Sequence, residues 1–174
     1  MVTAIRNDQL GVDWRFLAFS LDQAHAEEGE TPVWDRPPLE RGTGVLSLEW
    51  GLAIRDAFND RFFDFHVAMF AARFDDGRKT GKEQVVRDVA ASAGLDVDAV
   101  AEEVASGQPL KTLAAEHTEA VDRWAMFGVP TFCEDDQAVF VRFMDRNRVD
   151  DLERMLELLS WDRLNEFKRT QIAR

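Results

Sequence analysis

Gly128-Val129-Pro130-Thr131-Phe132-Cys133 is the stretch on which the fold turns. Before it, apolar residues recur at helical spacing. From Val129 onward they alternate, which is the repeat of a strand. Val129 to Cys133 therefore reads as one short strand, Glu134-Asp135-Asp136 as a turn, and Ala138 to Phe143 as a second strand of an antiparallel hairpin. Proline lacks the N–H that a ladder needs, so Pro130 belongs at a strand start, an edge or a special bond. Its place after Val129, directly ahead of a β-rich run, points to a cis Val129–Pro130 bond. Beyond the hairpin, Asn147 or Asp150 can start a last helix, with Leu152, Met155, Leu156 and Leu159 on its apolar face.

Working back from the hairpin, residues Val45 to about Trp124 follow the 3.6-residue repeat. One helix is expected over Val45 to Phe58. A second carries Phe62, Phe65, Met69 and Phe70 on one stripe, with Gly77 and Gly81 bracketing the turn after it. A third ends at Gly94, a natural left-handed residue just past a helix end. Asp96 can cap a short fourth helix, and Pro109 suits the first turn of a longer fifth. Upstream, Val12 to Phe19 is rich in aromatic and β-branched residues and reads as a strand, with Ser20 a candidate helix cap. The stretch from Glu27 to Gly44 holds Pro32, Pro37 and Pro38 and reads as a loop. The order is strand, long helical stretch, hairpin, helix.

Composition excludes several classes of function. The chain has 174 residues, 21 Lys+Arg against 33 Asp+Glu and a net charge of −12. That charge repels phosphate backbones, and no basic stripe offsets it, so no nucleic-acid partner is expected. No apolar run approaches the ~18 residues that span a bilayer, so no membrane span is expected. The start, Met1 to Gln9, lacks the basic and apolar regions of a signal peptide, and the chain is read as cytoplasmic. The single cysteine, Cys133, forms neither a Cys-x-x-Cys pair nor a multi-cysteine zinc site. His25, His66 and His117 lie far apart in sequence, and no metal site is expected.

The hairpin motif, the helical stretch and their order carry a resemblance. Gly128 to Phe132, with a hairpin and a terminal helix after it, looks like the C-terminal half of a thioredoxin-like domain. The pattern Phe65-His66-x-Ala68-x-Phe70, then Gly77, then an apolar helix to Gly94-Leu95-Asp96, is similar to the helical insertion of the DsbA family. FrnE-like proteins, 2-hydroxychromene-2-carboxylate isomerases and kappa-class glutathione transferases are among the relatives. Trp14 to Gln23 resembles the second strand of that family and its exit, and Leu164 to Lys168 looks like the ending of actinobacterial members. The implied fold is α/β: a thioredoxin-like domain from residues 1–43 and 126–174, with an inserted helical subdomain at 44–125. The implied activity is thiol–disulfide exchange, or a thiol-dependent transfer or isomerisation of the kappa-class type.

Members of the family begin with a central strand, a cysteine turn and a helix. Only about eleven residues precede Val12 here, so the resemblance implies that the first strand and the cysteine turn are missing from this chain. Thr3 to Gln9 would be the last turns of the first helix. Each buried backbone group left unpaired costs about 1–3 kcal/mol. The chain is thus expected to close the gap by direct pairing, to pair through the open edge with another chain, such as a second copy of itself in a homodimer, or to be marginally stable.

In the family the residue before the cis-proline pairs with extended substrate. The resemblance therefore assigns substrate binding to Val129, Pro130 and Thr131, and no catalytic residue to this chain. An extended peptide or a thiol is the substrate class. No bound cofactor is expected, and a low-molecular-weight thiol is the co-reactant. A non-enzymatic binding module using the proline face or the open edge is the alternative. His25 and His66 are candidate cleft-lining residues. For His66 the other reading is a helix-interface histidine bonded to a carbonyl. His117, beside Glu116 on a mostly polar face, is expected to be solvated. Cys133 lies beside Glu134-Asp135-Asp136, whose charges disfavour a thiolate, so it is read as a structural thiol. Trp34 and Trp50 are the aromatic residues whose exposure matters most for a groove.

Overall fold

A computed structural model describes residues 1–141, 148–161 and 163. Its helices are α1 (Val2–Arg6), α2 (Leu21–Ala24), α3 (Val45–Ala57), α4 (Phe62–Phe74), α5 (Glu83–Ser92), α6 (Val97–Ala105), α7 (Gln108–Trp124) and α8 (Val149–Leu159). Between α7 and α8 lie β1 (Thr131–Glu134) and β2 (Gln137–Phe140). The loop before α3 holds single 3₁₀ turns at Val33–Asp35 and Pro38–Glu40.

The helix ends follow the expected chemistry. Ser20 Oγ accepts from the Gln23 N–H at 3.1 Å and caps α2. After α5, Gly94 takes φ +78°, the Leu95 N–H bonds to the Ala90 carbonyl and the Gly94 N–H to that of Ala91. This pair of bonds closes the helix and needs the left-handed residue between its turns. Asp96 Oδ1 accepts from the Asp98 and Ala99 N–H groups to open α6. Pro109 sits in the first turn of α7, where its missing N–H costs nothing.

The hairpin is antiparallel, with Thr131 opposite Phe140, Phe132 opposite Val139, Cys133 opposite Ala138 and Glu134 opposite Gln137. Asp135, at φ +50°, makes the two-residue turn. The Val129–Pro130 peptide is cis, and the Pro130 carbonyl accepts from the Val141 N–H at 3.2 Å.

Three clusters hold the chain together. Trp50 and Ile54 of α3, Phe65 of α4, Val86 of α5 and Val100 of α6 form the helical core. Phe132 of β1 packs with Leu152, Met155 and Leu159 of α8 and with Ala4 of α1. Ala18, Val33, Val45, Leu52 and Leu113 tie the segment before α2 to α3 and α7.

Val12 to Phe19 does not form the expected strand: it has no regular secondary structure, and among the described residues the only sheet is the hairpin. Nor does it pair directly with β1. A strand needs a neighbouring backbone, and this segment finds side chains instead. The Ala18 N–H donates to Glu116 Oε2 at 2.7 Å and the Ser20 N–H to His117 Nδ1 at 3.2 Å. Two residues apart, both point at α7, which is the repeat of extended chain. Arg55 Nη1 donates to the Phe16 carbonyl at 2.7 Å. His117 is accordingly buried, 5% exposed, rather than solvated. The last helix begins at Val149 with Arg148 as its cap residue, and Asp150 lies inside its first turn. Residues 142–143 of the expected second strand, Asn147 and the run Leu164 to Lys168 lie outside the described residues.

Candidate functional site

A groove of about 360 Å³ opens between α3, α4 and the segment ahead of α2. Its floor is Phe16 to Phe19. Leu48 and Leu52 of α3 form one wall, Phe62, Phe65, His66, Met69 and Phe70 of α4 the other. The i, i+3, i+4 spacing of these α4 residues puts them on one helix face. Phe62 and Phe65 face the core, whereas Phe70 and Phe74 are 46% and 66% exposed at the mouth, their rings 5.6 Å apart. Trp50 is fully buried in the helical core and Trp34 packs on His117, so neither lines the groove.

Of the two candidate cleft histidines, His66 lines the groove and His25 does not. His25 is exposed at the end of α2. The His66 ring lies 5.0–5.6 Å from the rings of Phe16, Phe62 and Phe70. It bonds to no carbonyl among the described residues. Burial pushes its pKa down to about 4, so it is neutral at pH 7 and adds no charge to the wall.

Val129 stands at the rim of the groove, 43% exposed, and no hydrogen bond among the described residues uses its N–H or carbonyl. Pro130 is half-buried behind it. Thr131 is committed elsewhere: its hydroxyl donates to the Gly128 carbonyl at 2.7 Å. Gly128 allows Phe140 to lie close, since an added Cβ would meet that ring at 3.1 Å. The motif thus brings Val129 to the groove and leaves Thr131 in the hairpin.

The floor is fixed from behind by charge. Arg55 meets Glu116 at 2.9 Å and Asp56 at 2.7 Å. Burial opposes the guanidinium charge, but the hydrogen bonds to Asp56 and Glu116 outweigh it and raise the pKa. Glu116 and His117 were not expected to matter. The signal available was their adjacency: neighbouring acceptors on a helix can take alternate N–H groups from one edge of an extended chain.

Cys133 is a free, half-buried thiol on β1. Burial raises its pKa against the lowering field of Arg123, so the thiol form dominates at neutral pH. Among the described residues no group of three or more His, Cys, Asp or Glu side chains is placed to hold a metal ion, and no helix is long and apolar enough to cross a membrane.

Helices packed as one block, followed by a β-hairpin and a closing helix, define a thioredoxin-like α/β fold with a helical insertion. Residues 60–157, more than half of the chain, match the family model of the DSBA-like thioredoxin domain, and the chain belongs to that family. No curated protein matches it in sequence.

Proposed function

We propose that this chain is a substrate-holding scaffold of the thiol–disulfide oxidoreductase type, catalytically incomplete in the residues it has. The groove takes an apolar side chain of an extended peptide, and the backbone of Val129 pairs with that peptide at the rim. One observation carries this reading: an exposed residue whose N–H and carbonyl bond to no described residue stands at the edge of an aromatic groove. Extended chain pairs with free backbone, and pockets beside the pairing give selectivity. Pro130 shapes the rim, and Thr131 supports it through Gly128. His66 contributes apolar wall.

Thiol exchange needs a thiolate, and the one thiol here is protonated and held in the hairpin. A low-molecular-weight thiol, or a thiol on the bound partner, is the co-reactant this scaffold would serve. The test is a fluorescence-anisotropy titration with a labelled extended peptide rich in Phe and Leu. Saturable binding is expected, with a loss in Phe70→Glu checked for native circular dichroism. Absence of binding, or equal binding by Phe70→Glu, overturns the reading. In an insulin-reduction assay with dithiothreitol the chain should give no acceleration. Acceleration that disappears in Cys133→Ala would show that the chain has its own nucleophile.

A further inference from the structure

The floor of the groove is an unpaired segment held by side chains, and one of its holders can change from acceptor to donor. His117 Nδ1 accepts from the Ser20 N–H at 3.2 Å, and Ser20 is completely buried. The imidazole lies 4.4 Å from the Phe19 ring and 5.5 Å from Trp34, centre to centre. Phe19 lines the groove.

We propose that His117 is a proton-operated latch on the groove: neutral, it fixes Phe19 and Ser20 in the floor, and protonated, it lets them go. The reason is the inventory of the ring. An imidazole that accepts at Nδ1 carries its proton at Nε2. A second proton can go only to Nδ1, where it faces another N–H. The bond is lost and two donors oppose each other in a buried site, which costs more than an absent bond.

Among the described residues the surroundings leave the ring without a compensating anion. Glu116, on the same helix, is committed to Arg55 and the Ala18 N–H. From α3, Glu49 pairs with Arg41, and Arg55 with Glu116 and Asp56. Asp22 of α2 accepts from the Gly44 N–H. Asp35, in the turn that carries Trp34, makes no ion pair with His117. Burial lowers the His117 pKa, so release falls on the acid side of the ordinary imidazole range. The neutral ring stabilises the fold above that range, and its contribution is lost as the pH falls through the folded-state pKa.

The latch acts on the groove assigned above, but its test does not use a ligand, so it stands or falls separately from peptide binding. Amide hydrogen exchange is followed by NMR on the full chain between about pH 7 and pH 4, with intrinsic rates divided out. Ser20 protection should fall about tenfold on acidification, the scale of one buried hydrogen bond, while core amides of α4 and α5 keep theirs. The fall should track titration of the His117 ring. His117→Asn, whose Oδ1 can take the place of Nδ1 without titrating, should keep Ser20 protected throughout. His66→Phe should leave the transition unchanged. Ser20 protection that does not respond to pH, a transition retained in His117→Asn, or one abolished in His66→Phe would each overturn the latch. Should His117→Asn fail to fold, a wild-type Ser20 transition displaced from the His117 titration would overturn it equally.

Discussion

The helical block from α3 to α6 and the segment from Trp14 to Ser20 solve the same problem in opposite ways. Within each helix of the block, the backbone N–H groups past the first turn find carbonyls four residues back, and side chains are left free to pack. Trp50, Ile54, Phe65, Val86 and Val100 meet there with almost no exposed surface. The segment has no such local solution. Its N–H and carbonyl groups reach Glu116, His117 and Arg55, residues far away in sequence. The difference teaches where the chain is vulnerable: the block depends on volume, the segment on three particular polar side chains. Both proposals above rest on the second kind of region, where a floor is held by a few polar bonds.

The sharpest way to break the contrast is to remove volume from the block. Phe65→Ala should cost about 3–5 kcal/mol in urea unfolding, since a fully buried ring leaves a cavity among helices that cannot collapse onto it. Breaking the polar support comes next. Arg55→Ala strands the buried Glu116 carboxylate and should cost about 3 kcal/mol. Glu116→Gln keeps an acceptor for the Ala18 N–H and should cost about 1 kcal/mol. If Arg55→Ala costs less than Glu116→Gln, the segment is not held by the ion pair. The smallest effect tests a local feature of the block. Asp96→Ala removes the cap of α6 and should lower stability by about 1 kcal/mol without altering peptide binding.

Much of the architecture was legible because its determinants are local. The ends of α5 and α6 are written in Gly94 and Asp96, and the hairpin in the change of repeat after Gly128. The site was legible only at one edge. Val129 could be placed by its neighbours in sequence, and His66 was named for the cleft together with His25, which lies outside it. His117 is buried although its helix face looks polar in sequence, because its polar atom meets backbone rather than water.

By itself, then, the sequence determined the helices from α3 to α8, the ends of α5 and α6, the hairpin and the family, because propensity, capping and periodicity act over a few residues. Only the tertiary structure decided that Val12 to Phe19 is not a strand, that Glu116 and His117 hold it, and that Phe70, Phe74 and Val129 face one groove. Those outcomes depend on which distant group fills each hydrogen bond, and a distant partner leaves no local pattern in the chain.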